Sequence, residues 1–177
     1  MGQQNEAMIA QKRMEDIFDA YFAMSDSLRD DVSYLLDRRQ DCNPVWRRAF
    51  IRAVVPLIEG LTYSYLCICH ADPNLSADER VELDPNRKQA TSDRIKLCLN
   101  SIFSVLDIAP APDFSGKGWC NARRLIGARD MLMHPKGPES LEFGESDWKQ
   151  IYDGTVWLLG EFFRLPDLMQ SKFGRKN

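Results

Sequence analysis

Arg129 and His134 are the residues whose types and spacing best suit a chemical reaction. Arg129 offers a planar guanidinium that can bind a phosphate through two parallel hydrogen bonds. His134 precedes Pro135 and therefore ends a predicted helix, where the helix dipole favours a protonated imidazole. Asp130 lies one helical turn before His134, so its carboxylate can orient the imidazole. Such a set can remove the proton of an RNA 2′-hydroxyl and stabilise charge on phosphorus without a metal.

The same residues also have a purely structural interpretation. Arg129 falls on the apolar face of its helix, where an unpaired guanidinium is costly. Glu59, the only acid between residues 44 and 70, is a candidate partner for Arg129. Asp130 and His134 can simply cap the helix end, and spacing alone favours this interpretation. The apolar residues predicted on that face are Ala122, Leu125, Ile126, Leu132 and Met133.

Basic residues cluster around this helix although the chain as a whole is acidic. Residues 116–137 carry a local net charge of +4, whereas the whole chain has a formal net charge of −3. This asymmetry is compatible with a patch that binds the RNA backbone, and a solvated basic helix face explains it equally well. The candidate RNA-binding residues are Lys117, Arg123, Arg124 and Lys136.

Metal and cofactor sites are not predicted. Cys67, Cys69 and His70 are adjacent potential zinc ligands, but on a helix the two cysteines point about 200° apart. The two histidines lack the Glu-x-x-His spacing of a di-iron bundle, and no nucleotide-binding or serine-hydrolase motif is present. We therefore expect neither a metal nor a cofactor.

The hydrophobic pattern predicts an all-α domain that spans residues 1–177, with about five helices around a four-helix core. Residues 71–91 have no sustained period and predict a long loop or lid. The tail, residues 172–177, is expected to be frayed. The unusually wide apolar face of the last helix indicates a second buried surface, such as a dimer interface. The helices are predicted at about 6–39, 44–70, 92–106, 119–134 and 146–166.

The composition predicts a cytoplasmic protein. The first residues lack the basic and apolar regions of an export signal. The most apolar run, Leu57 to Cys69, is interrupted by polar residues and is not expected to span a membrane. Five cysteines, an odd number, at mostly apolar helical positions indicate reduced thiols rather than a disulfide framework.

The R-x4-H pattern formed by Arg129 and His134, with the polar Asp130 directly after the arginine, resembles the signature of the HEPN superfamily (higher eukaryotes and prokaryotes nucleotide-binding). The all-α character and an earlier helix that carries Arg52 and Glu59 agree with this resemblance. It implies a HEPN four-helix bundle that dimerises, so that two R-x4-H motifs face one cleft.

For function, the resemblance implies a metal-independent endoribonuclease that leaves a 2′,3′-cyclic phosphate. Arg129 would clamp the phosphate, His134 would act as general acid or base, and Asp130 would orient His134. Proteins of this type serve in toxin–antitoxin pairs, phage defence and RNA processing, so an antitoxin or regulatory protein is a possible partner. The alternative is a non-catalytic helical module of the same fold that binds a protein partner or a nucleotide.

Overall fold

The computed structural model describes residues 12, 16, 19, 23, 25–39 and 42–173, and within them the chain is all-helical with no strand. This confirms the predicted all-α class. The elements are α1 (25–37), α2 (Pro44–His70), α3 (Ala77–Glu82), α4 (Thr91–Val105), α5 (Lys117–Met133), a 3₁₀ turn (Pro138–Leu141) and α6 (Glu145–Phe173).

Helix α2 is the central element, and its start was predictable. The Asn43 side chain accepts a hydrogen bond from the backbone N–H of Trp46 at 2.9 Å, and Pro44 occupies the first turn. This satisfies one of the amides that a helix start leaves unpaired. Its seam of apolar residues is buried against α4, α5 and α6. The buried seam residues are Trp46, Phe50, Leu57, Leu61, Tyr65 and Ile68.

By length and composition alone, α2 is apolar enough to cross a membrane. In its most apolar stretch, however, 61% of the residues are buried inside the protein. The central helix of a folded core passes the same test of length and apolarity, so this finding is weak evidence for a membrane span.

Helices α5 and α6 pack unusually closely because α6 presents a glycine to the α5 backbone. A Cβ placed on Gly154 would lie 2.3 Å from the carbonyl carbon of Asn121 and 2.5 Å from the nitrogen of Ala122. Real Cβ atoms do not approach that closely, and backbone atoms cannot turn aside as a flexible side chain can. The missing side chain therefore sets the distance between the two helices, and with it the position of α5.

We predict that Gly154→Ala lowers the free energy of unfolding by about 1–3 kcal/mol, the usual cost of overpacking a core. The matched control is Gly160→Ala in the same helix, where an added Cβ meets nothing within 4 Å. There, the better helix propensity of alanine should stabilise the protein by up to about 1 kcal/mol. Urea unfolding of both variants measures the difference, and equal effects would contradict the close approach.

Residues 71–91 are more ordered than the sequence pattern predicted. They contain α3, whose start is fixed by a capping box in which Ser76 and Glu79 each bond the other's backbone N–H. Leu83, directly after α3, is buried, and Leu75 packs against the core. The expectation of an unstructured stretch failed because a six-residue helix is too short to show a hydrophobic period.

Three further expectations differ from the structure. Helix α6 continues past Pro166 to Phe173 instead of ending at the proline. Met133, expected on the apolar face of α5, is exposed, and Val156 on the widely apolar helix α6 is exposed as well. Of the tail expected to be frayed, residues 172 and 173 are helical, and the remainder lies outside the described residues.

Candidate functional site

The end of α5 places His134 in solvent. His134 is the C-cap residue, with φ −132° and ψ 62°, and its backbone N–H donates to the carbonyl of Asp130 at 3.0 Å. Its backbone has thus left the helical conformation, as expected for a residue before a proline. The imidazole is exposed and makes no hydrogen bond with the described residues.

Arg129 joins α5 to α2 through the one acid of the central helix. Its Nη2 lies 3.3 Å from Oε1 of Glu59, and its Nη1 lies 3.1 Å from Oδ1 of Asp130. The ion pair between Arg129 and Glu59, which the sequence offered as one of two alternatives, is therefore present. It lies at the surface, because 30% of the Arg129 side chain and 38% of the Glu59 side chain are exposed to solvent.

Asp130 contacts a different partner from the one its spacing suggested. Its carboxylate accepts a hydrogen bond from Arg129, its direct neighbour, and none from His134, which lies one turn further along. In this arrangement two carboxylates neutralise the guanidinium of Arg129. The orientation of His134 by Asp130 stays a prediction about the RNA-bound state.

The predicted RNA-binding residues Lys117, Arg123, Arg124 and Lys136 are all exposed, and they make no ion pair with the described residues. Arg123 and His134 are eleven residues apart, which places them within about 20° of each other around the helix axis. Arg52 is also exposed and lies two turns before Glu59 on α2. An exposed cation, Arg123, thus lies on the side of α5 that carries His134, and Arg52 lies on the helix that carries Glu59.

Sequence reasoning missed a cavity of about 260 Å³ directly beside the ion pair. Glu59 belongs to both features, since it pairs with Arg129 and also lines the cavity. The sequence could have placed Tyr63 beside Glu59, because the two residues are one helical turn apart on α2. It could not have placed Arg94 there, because Arg94 lies on α4. The lining residues are Glu59, Thr62, Tyr63, Thr91, Arg94 and Ile95.

Cys69 and Cys98 are buried, and burial raises the pKa of the Cys69 thiol to about 12. Groups of three or more residues able to hold a metal ion do not occur in the described part of the chain.

Arg47, at the start of α2, is a buried arginine with two backbone carbonyls among its acceptors. Arg47 donates to the carbonyls of Cys42 at 3.2 Å and Phe143 at 2.7 Å, and to the carboxylate of Glu145. Burial opposes its charge, but the hydrogen bonds to Glu145 and Cys42 outweigh this and raise the pKa of Arg47. Arg47 therefore ties the segment before α6 to the central helix.

We predict a larger loss of stability for Arg47→Ala than for Arg129→Ala. Arg47→Ala leaves the buried Phe143 carbonyl without its donor and should cost at least about 1–3 kcal/mol. Arg129→Ala should cost only about 0–1 kcal/mol, because both partners of its ion pair are partly solvated. Thermal melts of the two variants measure the difference. A large loss for Arg129→Ala would indicate a structural ion pair instead of an accessible phosphate clamp.

Comparison of the chain with family profiles, with curated protein sequences and with solved structures found no match.

Proposed function

We propose that this chain is a metal-independent endoribonuclease of the HEPN type that works as a homodimer. The observation that supports it best is the position of Arg129. Glu59 and Asp130 hold its guanidinium at the surface, and His134 projects into solvent from the end of the same helix. A guanidinium with a solvated carboxylate partner can exchange that partner for a phosphate.

In the proposed reaction, His134 takes the proton of the RNA 2′-hydroxyl, and the 2′-oxygen attacks the adjacent phosphorus. The bond from phosphorus to the 5′-oxygen breaks, and that oxygen leaves with a proton. The products are a 2′,3′-cyclic phosphate and a 5′-hydroxyl end. Arg129 stabilises the negative charge that builds up on the phosphate oxygens during the attack.

A second copy of the chain completes the site. Arg129 and His134 point about 140° apart around α5, so one helix directs them poorly at a single phosphate. In a two-fold dimer, the His134 of one copy can face the Arg129 of the other. The exposed Lys117, Arg123 and Arg124 then hold the RNA backbone on either side.

We expect purified protein to cleave RNA in EDTA, and we expect His134→Ala to reduce the rate by about 10²–10⁴-fold, as loss of a general base does. His70→Ala is the matched control, because it removes the other histidine of the chain. Ribonuclease activity shared equally by wild type and His134→Ala would contradict the catalytic assignment.

Mixing two inactive variants tests the shared site. If Arg129 of one copy serves His134 of the other, a mixed dimer of Arg129→Ala and His134→Ala contains one intact site. Random exchange in a two-fold dimer should then restore about a quarter of the wild-type rate. The rate is measured after the variants are mixed and allowed to re-equilibrate. Failure of stable mixed dimers to cleave would place both residues in a site within one chain.

One observation favours a second candidate function, a non-catalytic module that binds a protein or a nucleotide. Two carboxylates already neutralise Arg129, which is the arrangement expected of a structural ion pair. Absence of RNA cleavage by the wild type would support this second function. Under both functions, we propose RNA or a nucleotide as one partner. A regulatory protein is the other proposed partner.

A further inference from the structure

Asp130 lies between Arg129 and His134 around the axis of helix α5. It is about 100° from Arg129 and about 40° from His134, which follows one turn later. The backbone N–H of His134 still donates to the Asp130 carbonyl at 3.0 Å, so the two residues keep the spacing of a helical turn. Side chains at this spacing have Cβ atoms about 5–6 Å apart. The Asp130 carboxylate can therefore turn to either neighbour while the backbone stays in place.

In the structure, Arg129 holds this carboxylate. Nη1 of Arg129 donates to Oδ1 of Asp130 at 3.1 Å, while Nη2 lies 3.3 Å from Oε1 of Glu59. The cluster of one guanidinium and two carboxylates therefore carries one excess negative charge, which repels a phosphate. A phosphate can bind Arg129 in the bidentate manner only if it displaces a carboxylate.

Asp130 is the carboxylate that a phosphate displaces more easily. Its side chain is 58% exposed, compared with 38% for Glu59. Water therefore solvates Asp130 better when it leaves the arginine. Asp130 also has a second hydrogen-bond donor within reach, the exposed imidazole of His134 on the same helix.

We propose that a phosphate bound by Arg129 releases Asp130, which then accepts a hydrogen bond from the imidazole of His134. This inference rests on the proposed ribonuclease function and adds a regulatory step to it. In the free protein, His134 lacks a carboxylate to orient it, and binding of the substrate supplies one. Glu59 keeps its contact with Arg129 and holds the guanidinium against α2 during this exchange.

In the proposed dimer, the exchange links the two active sites. Arg129 and His134 of one chain serve different sites there, and Asp130 lies between them on the same chain. RNA bound by Arg129 at one site therefore orients the histidine that acts at the other site. The two sites are coupled because both compete for one carboxylate.

Nitrogen NMR of the imidazoles tests the exchange without catalysis. The chain has two histidines, so His134→Ala assigns the signals of both. The ligand is a DNA hexamer, which carries phosphates but cannot be cleaved because it lacks the 2′-hydroxyl. At fixed pH, a saturating amount of hexamer should shift the ring-nitrogen signals of wild-type His134 to those of an imidazole whose N–H is bonded to a carboxylate. The signals of His70 should stay unchanged.

Arg129→Ala tests the same exchange without a ligand. Loss of the guanidinium releases Asp130, so His134 of the free variant should already show the signals of hexamer-bound wild type. Asp130→Asn should remove the shift in both experiments. Glu59→Gln is the matched control, because it removes the other carboxylate of the cluster and leaves the Arg129–Asp130 contact in place. Its free His134 should keep the signals of the free wild type.

The outcomes separate this inference from the ribonuclease proposal. Identical His134 signals in free wild type and free Arg129→Ala would overturn the exchange, and so would a saturating hexamer that leaves wild-type His134 unshifted. The expected shifts without RNA cleavage in EDTA would support the exchange and overturn the ribonuclease. Cleavage by a wild type whose His134 signals match those of all the variants would overturn the exchange and leave the ribonuclease standing.

Discussion

The close approach of Gly154 to the backbone of Asn121 and Ala122 is the constraint on which the geometry of the candidate site depends. It fixes α6 against α5, and α5 in turn carries both Arg129 and His134. Helix α5 also meets α2, where Glu59 receives the guanidinium of Arg129. Backbone-to-backbone packing against α6 and an ion pair to α2 thus limit how far α5 can shift or rotate.

Two arginines of the chain, Arg47 and Arg129, differ in burial and in the kind of acceptor they contact. The Arg47 side chain is 8% exposed, and two of its three acceptors are backbone carbonyls, the third being the exposed carboxylate of Glu145. The Arg129 side chain is 30% exposed, and both of its acceptors are side-chain carboxylates. A buried cation with several fixed acceptors cannot exchange them for a ligand at low cost, whereas a half-solvated one can. This contrast makes Arg129 the better candidate for chemistry.

Sequence patterns predicted the elements that depend on local signals and missed those that depend on distant contacts. The helix predicted at 44–70 matches α2, which Asn43 caps and which buries a seam of apolar residues. The pairing of Glu59 with Arg129 was one of two open alternatives, because spacing cannot reveal which helices touch. Arg94 and the cavity were invisible, since α2 and α4 form it from residues some thirty positions apart. The continuation of α6 through Pro166 was missed because tertiary packing, with Leu165 fully buried, outweighs the local preference of proline.

Two consecutive arginines of the central helix hold the segment that follows His134. These contacts restrict the backbone on the C-terminal side of the histidine. Arg48 donates to the carbonyl of Leu141, and Arg47 donates to the carbonyl of Phe143. The backbone of His134 therefore lies between two anchored regions, α5 before it and this tethered turn after it. Folding has already removed most of the main-chain freedom that a mobile loop would lose on meeting a ligand. The backbone at His134 is thus held by the fold on both sides, and a ligand that bound there would meet a preorganised main chain.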